Sequence, residues 1–268
     1  MTFRKLKILV TGSSGFIGSN LLPKLKKYNV ITYDRVGGKD IFDEDFEQAV
    51  KKSDIVIHLA AQVSVTKSHE KPVETFIINV LGTARVVQLC LKYKKKLIYP
   101  STAAVLNPDS SPYARTKHLA EEIVKSASKE IPTVVLRLYN VYGEGMNPAS
   151  GSLVYNFLTS PKLRIFGDGE STRDFVNITD VTNIMVDAIK KKWNGKVVDV
   201  GSGEAYAVNY IAGLFAFYQK KDIVYDKPRK EIRWSAANID ILKSVYNENL
   251  TTNLEYDIKE LCSKQMME

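Results

Sequence analysis

Tyr113 and Lys117 stand four residues apart in the segment SSPYARTKHLAEEIV, residues 110–124. Residues four apart share one face of a helix, so this spacing sets an ammonium beside a phenol. Tyrosine has an ordinary pKa near 10, and lowering it to about 7 requires roughly 4 kcal/mol of preference for the phenolate. Positive charge close to the ring supplies such a preference. The pair is therefore a candidate general acid and base.

The helix that carries this pair has clear start signals. Ser110 or Ser111 can serve as its N-cap, and Pro112 suits its first turn. A tyrosine and a lysine at this spacing occur by chance on many helices. The pair becomes specific here because it follows a glycine-rich strand-to-helix junction by about a hundred residues.

That junction reads TGSSGFIG and follows the first apolar run of the chain. Gly12 permits a tight turn, Gly15 lets a pyrophosphate approach the backbone, and Gly18 lets the next helix pack closely on the strand. Phe16 and Ile17 begin this helix, whose N-terminus then faces the phosphates. The five residues are candidates for binding a dinucleotide.

Asp34 ends the second predicted strand, where a carboxylate can bind both ribose hydroxyls of the adenosine. It would repel a 2′-phosphate, which favours NAD over NADP. Arg35 leaves NADP as an alternative, because an arginine at this place can accept that phosphate. The predicted cofactor is NAD, with Asp34 and Arg35 in its site.

Strand-length apolar runs alternate with helix-length segments over the first 140 residues. This pattern predicts an α/β fold, a Rossmann doubly wound parallel sheet with right-handed crossovers. After Asn140, glycines and aromatic residues predict a smaller substrate lobe. We expect an NAD-binding domain over 1–140, joined by a strand at about 196–201. The remainder of 141–268 would be mainly the C-terminal substrate lobe, interleaved with that domain.

The composition is that of an ordinary globular chain, with 268 residues, 44% hydrophobic and 25% charged. No apolar run approaches the roughly 20 residues of a membrane span. The N-terminus shows no export signal, which predicts a cytoplasmic protein without membrane contact. The net charge of +8 comes from lysines at predicted helix ends, and we expect no nucleic-acid partner. Two cysteines and three histidines lack metal-ligand spacing, so no metal is expected.

Further motifs occur in a consistent order along the chain: HLAAQ (58–62), NVLGT (79–83), PSTAAV (100–105), LRLYNVYGEG (136–145), GDGESTRDFVNITDV (167–181), and Arg229 after Pro228. Together with the glycine junction and the Tyr113–Lys117 pair, they resemble the extended short-chain dehydrogenases/reductases. The specific resemblance is to the NAD-dependent sugar-nucleotide epimerase/dehydratase group. It extends from Lys7 to about Leu261.

The resemblance implies roles for residues that match these motifs. Asp40 and Ile41 would border the adenine, and three residues would line the cofactor channel: Leu59, Ala60 and Ala61. Thr102 stands where the group has its catalytic serine or threonine, which hydrogen-bonds the reacting hydroxyl. The other implied residues bind a UDP-sugar or another nucleotide sugar: Asn140, Phe166, Arg173 and Arg229.

Two arginines, Arg173 and Arg229, would clamp the diphosphate, for which a planar bidentate donor is suited. Alternatives remain for part of this set. Phe166 could be a core residue, and Arg173 could pair with Asp174 or Asp180. The resemblance also implies a homodimer, in which the helix from Val73 pairs with the helix that carries Tyr113.

Two departures from the group's pattern affect the substrate site. Twelve positions separate Ser101 from Tyr113, where the group has a longer excursion, and Leu106–Asn107 replaces a usual Tyr-Gly. One wall of the site is therefore shortened.

The residues after Thr102 bear on the reaction. In the 4,6-dehydratases of this group an Asp-Glu pair follows the threonine and carries out elimination, and the related decarboxylases usually keep the glutamate. Here Ala103 and Ala104 stand in these places and can do neither. Hydride chemistry alone remains, and the expected reaction is 4-epimerisation of a UDP-hexose of the glucose/galactose type. The alternatives are an NAD(P)H-dependent nucleotide-sugar reductase and a non-catalytic sensor or scaffold that binds NAD or a nucleotide.

Overall fold

The computed structural model describes residues 4–148, 151–228 and 233–265. Their strands are β1 (Lys7–Thr11), β2 (Asn29–Tyr33), β3 (Ile55–His58), β4 (Lys96–Thr102), β5 (Thr133–Leu138), β6 (Asn140–Tyr142), β7 (Leu163–Phe166), β8 (Thr172–Asn177), β9 (Lys196–Val200), β10 (Ala205–Ala207) and β11 (Ile223–Asp226). Their α-helices are α1 (Phe16–Leu21), α2 (Phe46–Lys52), α3 (Val65–Glu70), α4 (Pro72–Phe76), α5 (Gly82–Tyr93), α6 (Pro112–Ser126), α7 (Leu153–Thr159), α8 (Ile178–Asp187), α9 (Val208–Gln219), α10 (Asp240–Val245) and α11 (Leu254–Gln265).

Six parallel strands form the main sheet in the order β2-β1-β3-β4-β5-β9. Successive residues of β1 face opposite sides, with Leu9 in one buried cluster and Ile8 and Val10 in the other. Both faces are covered by helices, which explains why the strands read as continuous apolar runs rather than alternating ones. The predicted Rossmann α/β fold is confirmed.

One face of this sheet is covered by helices from the first half of the chain, α2, α5 and α6. The other face is covered by α1 together with α8 and α10, which come after Asn140. The strand β9 pairs with β5, as the pattern at 196–201 indicates. Residues of the second half of the chain therefore complete the core of the parallel sheet.

A third buried cluster lies in the C-terminal part, built around Phe157, Phe175 and Phe215. It includes residues of α7, α9 and α11 and of the short strands β6, β7 and β8. These strands form two small sheets, β10-β8-β6 and β11-β7. This smaller cluster lies beside the carboxyl ends of the main strands, because β6 follows directly after β5.

One continuous helical stretch, Pro72–Tyr93, is long and apolar enough to cross a membrane by length and composition. The sequence predicts a long helix here, from Val73 to Tyr93, but no apolar run of membrane-spanning length. Half of its most apolar window is buried inside the protein, as in the core helices of water-soluble proteins. A π-helical turn, Ile77–Leu81, joins α4 to α5 within it.

Candidate active site

The parallel sheet opens a crevice where its strand order reverses. The strand β1 pairs with β2 on one side and with β3 on the other, and ligands of such sheets bind outside the carboxyl ends of the strands at this point. A cavity of about 830 Å³ lies there. Of the predicted site residues, those that the structure describes all line it: Gly12, Gly15, Phe16, Ile17, Gly18, Asp34, Arg35, Asp40, Ile41, Leu59, Ala60, Ala61, Thr102, Tyr113, Lys117, Asn140, Phe166 and Arg173. Arg229 lies outside the described residues.

The glycine junction brings the backbone of β1 against the start of α1. Gly12 has φ +67, and a Cβ there would lie 2.6 Å from the backbone nitrogen of Ala60. A Cβ on Gly18 would lie 2.5 Å from the carbonyl oxygens of Gly12 and Ser13. On Gly15 the nearest atom would be 3.4 Å away. Gly12 and Gly18 thus serve the fold, while Gly15 leaves room for a ligand at the exposed edge of the turn.

At the end of β2, two backbone amides orient the Asp34 carboxylate. The Ser14 N–H donates to Oδ2 at 3.0 Å, and the Val36 N–H donates to Oδ1 at 2.9 Å. The Arg35 Nε donates to the Asp40 carboxylate at 2.5 Å. Because Arg35 is engaged with Asp40, the residue that could accept a 2′-phosphate already has an anionic partner. The arrangement fits the two ribose hydroxyls of NAD.

The catalytic candidates lie at the end of β4 and on the first turns of α6. Ser111 is the N-cap of α6, because its hydroxyl accepts from the Ala114 N–H at 3.1 Å. The choice left open between Ser110 and Ser111 is thereby decided. The buried hydroxyl of Ser68, on α3, accepts from the Tyr113 N–H at 3.1 Å. This contact anchors the start of the helix against a second element.

Lys117 is buried against the carboxyl-terminal end of β4. Its Nζ donates to the Pro100 carbonyl oxygen at 2.8 Å and lies 4.2 Å from the centre of the Tyr99 ring. The Thr102 hydroxyl reaches the Tyr113 hydroxyl, and this hydrogen bond lowers the Tyr113 pKa. The three side chains therefore meet at one end of the cavity.

Burial dominates the electrostatics of this site. It raises the pKa of Tyr113 to about 12, against the smaller effect of Thr102. It lowers the pKa of Lys117 to about 7, against the opposing charge of Glu121. The protein groups therefore do not produce the lowered tyrosine pKa that the spacing suggested, because the loss of solvation outweighs them. Additional positive charge is needed at the phenol.

His58 lies behind the site between two hydroxyls. Its Nδ1 is 2.7 Å from the Thr11 Oγ1, and its Nε2 is 3.3 Å from the Thr83 Oγ1. Burial, and then the charge of Lys117, lower its pKa to about 3. The imidazole is neutral at physiological pH and does not compete with Lys117 as a cation.

The candidate substrate-binding residues line another part of the same cavity. Asn140 donates from Nδ2 to the Asp174 carbonyl oxygen at 2.7 Å. Phe166 is 38% exposed and faces the cavity, so it is not a core residue. Arg173 donates from Nη1 to the Thr172 carbonyl oxygen at 2.8 Å. The Asp174 carboxylate instead accepts from backbone N–H groups, those of Ser202, Gly203 and Ala237.

Sequence reasoning missed the residues that hold these groups in place. Asn79 bridges three elements: it accepts from the Gln62 N–H at 2.8 Å and donates to the Thr116 hydroxyl at 3.1 Å. Glu121 accepts from Arg137 and Ser101 directly behind Lys117. The position of Glu121, four residues after Lys117, was an available signal. Among the residues that the structure describes, no cluster of His, Cys, Asp or Glu could hold a metal ion.

The model of the NAD dependent epimerase/dehydratase family matches residues 8–201 of the chain. A putative UDP-glucose 4-epimerase of Methanocaldococcus jannaschii is 33% identical, over 94% of this chain and 95% of that protein. A UDP-N-acetyl-alpha-D-glucosaminuronate decarboxylase of Bacillus cytotoxicus is 28% identical over 78% of each chain. The solved UDP-glucose 4-epimerase of Thermotoga maritima with UDP-glucose is 27% identical, with TM-score 0.86, over 98% of this chain and 100% of that one.

Proposed function

Since this chain belongs to the NAD dependent epimerase/dehydratase family, whose cofactor is NAD, we propose that it is a 4-epimerase of nucleotide sugars. The proposed substrates are UDP-glucose and UDP-galactose. The proposal is supported by the similarity to UDP-glucose 4-epimerases. The observation that carries it is the set of side chains at the sugar end of the cavity.

That set contains acid–base groups and lacks elimination groups. Thr102, Tyr113 and Lys117 face the same cavity as the glycine junction. Directly after Thr102 the chain turns into a short 3-10 helix, Ala103–Leu106, whose first two residues carry only methyl groups. Dehydration needs a carboxylic acid there to protonate the leaving hydroxyl and a carboxylate to remove the C5 proton. Epimerisation needs neither step, which favours it over dehydration for this site.

In the proposed reaction Tyr113 takes the proton of the C4 hydroxyl and later returns it. The Thr102 hydroxyl hydrogen-bonds to the C4 oxygen and to the Tyr113 oxygen, and so aligns the reacting hydroxyl with the phenol. Lys117 holds an ammonium beside the ring and stabilises the phenolate. NAD held in the cavity by the glycine junction and Asp34 would supply the hydride chemistry at C4 and, when oxidised, a positive charge near Tyr113.

The other end of the substrate would be held by Asn140, Phe166 and Arg173. Arg173 offers a planar fork to the diphosphate, and Phe166 offers an exposed ring at the rim. The 4-keto sugar must turn over between the two hydride transfers.

We further propose that the protein works as a cytoplasmic homodimer, without a membrane or a nucleic-acid partner. Two observations support this. Both cysteines, Cys90 and Cys262, are buried and free, which suits a reducing compartment. Apolar side chains are exposed on one stripe of the Pro72–Tyr93 stretch, at Val73, Ile77 and Leu81.

The deciding experiment gives purified protein UDP-glucose or UDP-galactose with no added reductant and separates the products. An epimerase interconverts them with no net absorbance change at about 340 nm and retains the hydrogen at C4, because the hydride leaves and returns on one cofactor. N-acetylated and uronic acid sugars belong in the panel because the wall is short. If the protein is inert toward all of these sugars but reduces a keto sugar with NADH or NADPH, the protein is a reductase and not an epimerase.

A further inference from the structure

Behind Lys117 lies a buried acidic group that the proposed reaction does not use. Glu121 is 1% exposed and stands one helical turn after Lys117 on the same face of α6. Its carboxylate accepts from the Ser101 hydroxyl at 2.6 Å and from the Arg137 guanidinium at 2.6 and 3.0 Å. Side chains from two neighbouring strands, Ser101 on β4 and Arg137 on β5, therefore hold this carboxylate in place and form a clamp around it.

The clamp supplies the partners that a buried carboxylate requires. Burying an isolated charge is costly unless it is paired and hydrogen-bonded. The bidentate contact with Arg137 and the Ser101 hydroxyl meet both conditions. Arg137 also lies 3.9 Å from Asp199 on β9, so its charge is shared with a second carboxylate.

Lys117 needs such a neighbour because the other groups around it do not balance its charge. It faces the Pro100 carbonyl and the Tyr99 ring on β4 and the neutral His58 on β3. On its own helix, Tyr113 lines the same cavity. Burial lowers the pKa of Lys117, and the negative charge of Glu121 opposes this lowering. Without Glu121 the ammonium would lose its proton at a lower pH.

We propose that Glu121, clamped by Arg137 and Ser101, is a positioning residue that keeps the Lys117 ammonium charged beside Tyr113. The catalytic role of Lys117 rests on the proposed function, whereas its protonation state can be measured without any substrate. A measurement of Lys117 itself therefore separates the two proposals.

The test follows the ¹³C resonance of the Lys117 Cε against pH in protein labelled at lysine, assigned by its loss in Lys117→Met. Glu121→Gln keeps the shape and removes the charge, and it should lower the pKa of Lys117 by about one to three units. Glu122→Gln is the matched control: this neighbour on the same helix pairs with Lys125 at the surface, and its loss should leave Lys117 unchanged.

Glu121→Gln could fail to fold because it leaves Arg137 with only its longer contact to Asp199. The double variant Glu121→Gln/Arg137→Gln replaces the ion pair by two amides that can bond each other. A downward shift is again expected, smaller than in the single variant because loss of the Arg137 charge favours the ammonium. In turnover assays the fall of kcat at high pH should move to lower pH by a similar amount.

An unchanged Lys117 pKa in the folded variants would overturn the proposal, even if they were less stable, since that result would mean a purely structural clamp. If the Lys117 pKa shifts but the protein turns over no nucleotide sugar, this proposal stands and the proposed epimerase function is wrong.

Discussion

At the scale of single residues, Tyr113 is a phenol held in a place that disfavours its ionisation. Its ring is partly buried, desolvation raises its pKa to about 12, and Thr102 opposes that shift only in part. Lys117 is buried, and desolvation lowers its pKa. In the proposed mechanism, proton transfer at this phenol would therefore depend on positive charge from the bound cofactor and from Lys117.

Tyr113→Phe keeps the packing of the ring and removes the acid–base group. We expect kcat to fall by roughly 10²–10⁴ with the melting temperature nearly unchanged. Tyr256→Phe, on the exposed side of α11, is the control for loss of a hydroxyl. Turnover close to that of the unaltered protein would exclude Tyr113 as the acid–base residue.

Asp34→Ala removes the carboxylate that Ser14 and Val36 orient at the end of β2. Hydrogen bonds to charged groups are strong, so we expect NAD affinity to fall roughly 10- to 100-fold. NADP affinity should fall less, because the repulsion of its 2′-phosphate disappears with the carboxylate. Titration calorimetry with both cofactors measures the two changes. Tighter binding of NADP by the unaltered protein would contradict this role for Asp34.

At the scale of elements, the three glycines of the junction differ in how closely other protein atoms approach them. The close approach of α1 to β1 depends on Gly18, and the left-handed turn depends on Gly12. Gly15 contacts little in the protein itself. The same three-glycine pattern therefore divides into two structural positions and one position that we propose for ligand binding.

Gly18→Ala should lower the free energy of unfolding by at least about 1–3 kcal/mol, because the added methyl meets backbone atoms that have no room to move. Gly15→Ala should change stability little and weaken NAD binding, because its methyl enters the space that a pyrophosphate needs. Denaturant unfolding and NAD titration, run on both variants, separate the effects. Equal losses of stability in the two variants would contradict the division.

At the scale of the whole molecule, the helices that support the catalytic residues also present apolar surface. Val73, Ile77 and Leu81 form a stripe on the outer side of their helix at i, i+4 spacing, and Leu119 is exposed on α6. Association through these helices would bury the stripe and brace α6, whose inner side holds Tyr113 and Lys117.

We expect a dimer in light scattering at micromolar concentration. The double variant Ile77→Glu/Leu119→Glu should be monomeric, because it buries two unpaired charges at the contact. Phe217→Glu changes an equally exposed apolar residue on α9 and should remain dimeric. A monomer in the unaltered protein, or a dimer that survives the double variant, counts against this interface.

Local patterns were enough to predict the parallel sheet, and the residues that they indicate for nucleotide binding line one cavity. The turn at Gly12–Gly18, the strand-end Asp34 and the Tyr113–Lys117 spacing all act within one or two adjacent elements. Their geometry follows from backbone sterics and helix periodicity, which short stretches of sequence encode. The return of β9 to the sheet was likewise visible as one more apolar run.

Only the tertiary structure decided the surroundings of these residues. Ser68, Asn79 and Arg137 reach the catalytic helix from 45, 37 and 16 positions away along the chain. The direction of the Tyr113 and Lys117 pKa shifts depends on burial by several elements at once. Desolvation and long-range hydrogen bonds are properties of packed elements rather than of any one segment, and for that reason residue spacing suggested a lowered tyrosine pKa where the fold raises it.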